Sequence, residues 1–464
     1  MTLTSINAVN AKGDKTNMSL TKTSKSIKPP IPTAAQLAWQ KAEIGIVFHY
    51  DLHVFDDKEY RQGENRRKAF PDPNIFNPTK LDTDQWIKTA KSIGAKFAIL
   101  TASHETGFRL WQSDVTPDYS LKAVKWGDGK RDLVKEFIAS CKKYGLKPGI
   151  YMGTRWNSHL QFLDFRPTKN SKITLAEYNR RIEAEVEEIC SRYGDLFEIW
   201  FDGGAYGPKD GGPDVLKIFE KYQKTCVFYH NYQRADVRWG GSESGTVPYP
   251  CWGRLPFKDG YAAHDDVVGL RGKYMLKHGD PNGDFWCPAM SDAPLRNHEW
   301  FWDEGDDRKV RTVDNVVNMI FNSTGHNSTL ILGLAPDNRG LIPDVDVEVC
   351  KKVGLEMKRL FANPLAHTAG KGISLELNLD TEVSVDQIVL QEDVSKGERV
   401  REFVLEGLSD GKWTAIFNGT CIGHKLILRK LNVKASKLRI VVSKSVDEPI
   451  ISNFTAYDTK SKSR

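Results

Sequence analysis

FEIWFDG, residues 197–203, is an apolar, aromatic-rich run of strand length that stops at Asp202 and continues into Gly203 and Gly204. Taken alone it reads as a buried strand entering an Asp-Gly turn. Six runs of the same character lie elsewhere in the first three quarters of the chain: GIVFHY (45–50), KFAILTA (96–102), KPGIYMG (147–153), CVFYHN (226–231), WCPAMSD (286–292) and TLILGLA (329–335). Amphipathic helices separate the early ones. DLVKEFIASCKKYG puts Leu133, Val134, Phe137, Ile138, Cys141 and Tyr144 on one stripe and stops at Gly145. A second helix opens with Thr174 and Glu177 in capping-box spacing and runs through Ile182, Val186, Ile189 and Tyr193 to Gly194. Strands apolar on both faces, alternating with such helices, predict a parallel sheet covered by helices. Seven or eight units over some 300 residues fit a β/α (TIM-like) barrel across 37–364. No G-x-G-x-x-G follows the first strand to favour a doubly wound sheet.

The pattern changes near residue 365. After the helix EVCKKVGLEMKRLF (348–361), stretches such as GISLELNL (372–379), REFVLEGL (401–408) and SKLRIVV (436–442) alternate apolar with polar, without a helical period. They predict a small antiparallel β-sandwich over 365–458. Residues 1–36, rich in Ser, Thr, Lys and Asn, read as a flexible leader, and 459–464 as a basic tail. Those two segments carry +4 and +3 of the formal net charge of +6, so the body between them is near neutral. With no basic, aromatic stripe along the fold, nucleic acid is not an expected partner. No apolar run is long enough to span a membrane.

Seven scattered cysteines without a CxxC pair read as buried thiols rather than a zinc site or disulfide framework. Asn-x-Ser/Thr triplets at Asn17, Asn322, Asn327, Asn418 and Asn453 lean toward a secreted or periplasmic location, although no signal peptide is visible.

A barrel builds its active face where its strands end. Those ends carry His49, His104, Tyr151, Asp202, His230 with Asn231, and Asp292. Aromatics, imidazoles and carboxylates converging on one rim predict a polyol-binding catalytic pocket. Asp202 would be held rigid by its buried strand, with the glycines leaving room for substrate. Without a phosphate loop, nucleotide fingerprint or nucleophilic Ser/Cys motif, the chemistry indicated is glycoside hydrolysis, which needs two carboxyl groups. Candidates to partner Asp202 are Glu59, Glu105, Glu243 and Asp292. His49 and His53 form H-x-x-x-H at a strand end and lack the HExxH glutamate, so no metal site is read there.

In order along the chain, GIVFHY, AKFAILTASHETGFRLWQSDVTPDYSLKAV, KRDLVKEFIASCKKYGLKPGIYM, EIWFDGG, VRWGGSESG and FNSTGHNSTLILGLAPDNRGLIPDVD resemble the retaining α-L-fucosidases. The resemblance covers about residues 37–458 and implies a barrel followed by a β-sandwich. It implies Asp202 as the nucleophile forming a covalent fucosyl-enzyme. Glu243, in RWGGSESG, matches the general acid/base of the subgroup preferring α-1,3 and α-1,4 linkages. His49 and His104 match positions that bind fucose hydroxyls, and Trp200 would pack under the sugar. Glu59 and Tyr151 fit the same pocket, with Arg238 and Trp300 as supporting residues. The implied partner is a fucosylated oligosaccharide or glycoconjugate; no cofactor is implied, because both steps use only carboxyl groups and water.

The chain departs from the family pattern at specific places. The usual Lys-His-His-Asp-Gly-Phe reads Ser103-His104-Glu105-Thr106-Gly107-Phe108, His-Trp-Gly reads His49-Tyr50-Asp51, and a usual Trp is Tyr60. A carboxylate at Glu105, if it faced the pocket, would raise the pKa of neighbouring carboxyl groups. The departures cluster around sugar recognition and spare Asp202 and Glu243. Two other readings are a carbohydrate-binding pseudoenzyme and a retaining hydrolase for a stereochemically related sugar.

Overall fold

A computed structural model describes residues 28–56, 58–256, 269–297 and 299–460; most of the leader and the end of the basic tail lie outside the described residues. Eight parallel strands form one sheet: β1 (Ile44–Phe48), β2 (Phe97–Ser103), β3 (Lys147–Met152), β4 (Glu198–Ala205), β5 (Val227–Asn231), β6 (Arg238–Trp239), β7 (Ala289–Pro294) and β8 (Ser328–Leu334). Their spatial order is β5-β4-β3-β2-β1-β8-β7-β6, and a parallel bridge between Tyr229 and Val237 joins the two ends into a barrel. β6 is the strand that periodicity missed. Two residues are too few to show a period.

Helices cover the barrel: those over 133–144 and 175–192 lie where the sequence places them, and another begins at Ala34, inside the segment read as a leader. Among them are α1 (Ala34–Ala42), α2 (Thr83–Ile93), α3 (Leu133–Tyr144) and α4 (Leu175–Arg192). Asp132 caps α3 by accepting from the Lys135 amide, and Gly145 closes it at φ 77°. Thr174 and Glu177 form the expected capping box of α4. At the N-terminal end of the barrel, Trp39 of α1 is fully buried among Val47, Phe97, Val227 and Ile331. Its indole N–H donates to Glu198 Oε2 at 2.6 Å. Burial pushes the Glu198 carboxyl up to about 8, so it plugs the barrel in its neutral form.

The C-terminal β-sandwich is built from a six-stranded antiparallel sheet comprising β9 (Pro364–Lys371), β10 (Ser374–Glu392), β11 (Val400–Ser409), β12 (Lys412–Gly419), β13 (Leu426–Ser445) and β14 (Ile450–Tyr457). The long β10 and β13 lose register between Asn378 and Val383, and the sheet has its own core around Leu377, Ile388, Phe403, Leu438 and Phe454. The sandwich is bound to the barrel through polar groups. Lys425 and His424 hold Glu43, just before β1; burial alone would raise this carboxyl, but the Lys425 charge and the hydrogen bonds from both side chains bring it down to about 2. Glu398 accepts from the Gly253 amide and from Asn327 Nδ2. Asn327 is therefore buried in this junction. All seven cysteines are buried free thiols.

Candidate active site

Residues from the C-terminal ends of the strands and from the loops beyond them enclose a narrow pocket lined by His49, Tyr60, Gln62, His104, Tyr151, Trp200, Asp202, Glu243, Asp292 and Trp300. Residues separated by up to about 250 positions in sequence therefore meet at one rim. His49 directly follows β1, and its amide bonds to Leu334 O at 3.1 Å, at the end of β8. His104 directly follows β2.

Asp202 lies inside β4, where pairing to β5 shifts register between Trp200 and Ala205. Such an irregularity re-aims a side chain out of the ladder. Gly203 follows at φ 66°, where a Cβ would sit 2.5 Å from Trp156. Glycine is thus required to let Trp156 wedge beside Asp202. This corrects the expectation that the space serves the substrate: a protein side chain fills it. Tyr151 hydrogen-bonds the Asp202 carboxylate; burial and then the Asp202 charge push the phenol well up, so it remains a donor.

Glu243 stands exposed, with Ser244, at the tip of a tight loop after β6 whose flanking residues are buried or half-buried. The loop is pinned where Gly245, at φ 68°, donates its amide to Asp292 O at 2.7 Å and packs against Met319 and Ala293. The Trp300 indole donates to Glu243 Oε2 at 3.2 Å. Asp292, on β7, is only 3% exposed and accepts from Trp239 Nε1 at 2.9 Å. Burial, then the charges of Glu243 and Asp202, drive its carboxyl well above the usual range. Three carboxyl groups therefore share one pocket, and the buried one is neutral.

The imidazoles adjoin the carboxylates through shared aromatic neighbours. His49 and His104 have ring centroids 5.5 Å apart, His104 stacks on Tyr151 at 5.3 Å, and His49 packs on Trp300 at 4.9 Å. Burial lowers His49 to about 3 and His104 well below its ordinary value, so both rings are neutral. The Nδ1 atoms of both are buried without a hydrogen-bond partner among the described residues. Unpartnered buried polar atoms are rare in folded proteins, which singles out these two rings. Trp200 lines the same pocket, with its indole donating to His230 Nδ1 at 3.3 Å.

Two expected site residues lie elsewhere. Glu59 is 64% exposed and paired with Arg61 at 3.2 Å, because its surface segment turns the carboxylate outward. Arg238 is fully buried behind the rim, donating to the carbonyls of Leu276 and Cys287 and to Cys251 Sγ, so it braces β6 rather than reaching a ligand. Glu105 does not line the pocket: it turns behind Tyr60, whose hydroxyl donates to it at 2.7 Å. Asp51 likewise faces inward, capping the turn that starts at Leu52 and accepting from Thr106 Oγ1. Four of the departures thus form two bonded pairs, Asp51 with Thr106 and Tyr60 with Glu105. Sequence reasoning missed Gln62, whose surroundings carry no motif, and Trp239, which lies in VRWGGSESG four residues before Glu243. It weighed Asp292 as a partner for Asp202 and then set it aside.

The Alpha-L-fucosidase family model matches residues 20–360. Alpha-L-fucosidase 1 of Arabidopsis thaliana is 30% identical over 475 residues, covering 93% of this chain and 88% of that protein. A provisionally named alpha-L-fucosidase from Bacteroides thetaiotaomicron VPI-5482, of known crystal structure, superposes with a TM-score of 0.89 at 49% identity, covering 93% of this chain and all of that one. With the barrel, the sandwich and the carboxylate-lined pocket in place, the chain belongs to the alpha-L-fucosidase family of glycosidases, glycoside hydrolase family 29.

Proposed function

We propose that the protein is an exo-acting, retaining α-L-fucosidase that uses Asp202 as nucleophile and Glu243 as general acid/base. One observation carries this reading: Asp202 and Glu243, from different strand ends, border the same pocket, and both charges reach Asp292 within it. In the first step Asp202 attacks the anomeric carbon while Glu243 protonates the departing glycosidic oxygen. In the second, Glu243 takes a proton from water, which displaces Asp202 and releases fucose. The Tyr151 phenol holds the Asp202 carboxylate in place. The neutral rings of His49 and His104, which line the pocket, meet sugar hydroxyls, and Trp200 lies beneath the apolar face of the ring. Exposure of Glu243 suits a group that must meet both leaving group and water. The RWGGSESG segment supports a preference for α-1,3 and α-1,4 linkages in fucosylated glycans.

The test is kinetics of Asp202→Ala and Glu243→Ala on an aryl α-L-fucoside with added azide. Both variants should lose most turnover and recover it with azide, giving β-fucosyl azide from the first and α-fucosyl azide from the second. Full activity in Asp202→Ala refutes the assignment. Fucose binding by the wild type without release would instead favour the pseudoenzyme.

A further inference from the structure

The outer wall of the pocket is not part of the barrel. Tyr60 and Gln62 belong to a surface segment, residues 58–68, in which Tyr60, Asn65 and Arg66 are half-buried and the other residues exposed. A two-sided clasp joins this segment to the barrel. Tyr60 Oη donates to Glu105 Oε1 at 2.7 Å, and Arg66 Nε donates to Glu105 Oε2 at 2.9 Å. The Glu105 side chain, at 1% exposure, sits directly after His104 of the pocket wall. The Arg66 guanidinium also lies 3.7 Å above the ring of Trp156, the residue wedged against Gly203 beside Asp202. Weaker ties are the Tyr60 amide to Asp303 and Gln161 to Arg67 O. Burying a carboxylate offsets most of what its ion pair contributes, so stability alone does not account for a buried acid here. What the acid does hold in place is the wall: both of its hydrogen-bond donors lie on the segment that closes the pocket.

We propose that Glu105 is a positioning residue that clamps the 60–66 segment, setting Tyr60 and Gln62 against the bound sugar. Because Tyr60 gives its proton to Glu105, its oxygen presents only lone pairs to the pocket and accepts from a sugar hydroxyl. The inference rests on the proposed reading that this pocket holds fucose. It assigns Glu105 to substrate capture, so its loss weakens binding more than turnover.

The experiment compares wild type, Glu105→Ala, Glu105→Gln and Arg66→Met as full-length proteins. Glu105→Ala should raise KM for an aryl α-L-fucoside about tenfold, the loss of one charge-assisted clasp, while kcat stays within about threefold. Glu105→Gln, which keeps an acceptor for Tyr60, should recover most of the KM. Arg66→Met breaks the clasp from the exposed side and should move KM in the same direction without threatening the fold. Limited trypsin digestion reads the clamp without turnover: cleavage after Arg61 should accelerate about tenfold in Glu105→Ala and Arg66→Met. Wild-type cleavage rates in both variants, or a fall in kcat at unchanged KM, overturn the proposal. A wild type that releases no fucose defeats the functional reading instead, and the cleavage rates still decide the clamp.

Discussion

The indole N–H of Trp300 lies 3.2 Å from Oε2 of Glu243, and the same ring packs on His49 at 4.9 Å. One side chain thus aims the proposed proton donor and braces the wall of the sugar pocket. Trp300→Phe keeps most of the packing and removes the hydrogen bond. Proton donation matters most when the leaving group is poor. The variant should therefore lose about tenfold in kcat/KM on an alkyl α-L-fucoside and less than about threefold on a nitrophenyl fucoside. Equal losses on both would mean that Trp300 does not serve the acid.

Asp292 is held neutral by burial and by two neighbouring acids, with Trp239 donating to it. A neutral carboxyl and a carboxamide have similar shape and hydrogen-bonding capacity. Asp292→Asn should keep kcat/KM within about threefold of wild type. Asp292→Ala strands the Trp239 N–H and opens a void, and should cost about 1–3 kcal/mol in stability. A severe activity loss in Asp292→Asn would show that the ionised form is the one used.

Burial holds His49 and His53 at about 3, far below their unfolded value, and His53 lies 3.9 Å from the ring of Phe301 with neither nitrogen bonded among the described residues. The unfolded chain binds protons on these imidazoles below about pH 6.5 that the folded chain refuses. Their contribution is complete above that pH and is lost as pH falls toward 3, at up to about 1.4 kcal/mol per pH unit for each ring. Urea unfolding from pH 7 to 4 should show this slope, and His53→Leu should reduce it by about one proton. Parallel slopes would mean that His53 is already charged in the fold.

Glu198 gives the opposite sign. Its carboxyl is raised to about 8 in the fold, above the ordinary 4.5, so the folded state holds a proton that the unfolded chain releases. Stability from this group is present below about pH 4.5 and is lost as pH rises toward 8. Glu198→Gln keeps an acceptor for the Trp39 indole and removes the titration. The variant should match wild type near pH 5 and exceed it in melting temperature at pH 8. A variant less stable at both pH values would show that Trp39 needs the acid itself.

The sequence alone determined what depends on near neighbours. The apolar runs at 45–50, 96–102 and 197–203, and the stripes and caps of α3 and α4, are properties of a few successive residues. They therefore specify strand, helix and the barrel built from them. The rim residues His49, His104, Tyr151 and Asp202 were legible because each sits at, or just inside, the end of such a strand. The tertiary structure decided everything that requires distant residues to meet. It chose Glu243 and Asp292 rather than Glu59 to share a pocket with Asp202, filled the space beside Gly203 with Trp156, and bonded Tyr60 to Glu105 across 45 positions. It also made a barrel strand of Arg238 and Trp239, two residues too short to carry a period. A carboxylate in a Gly/Ser loop has the same local chemistry whether it faces solvent or substrate; only the closure of the barrel, which brings the ends of β1 to β8 onto one rim, distinguishes the two.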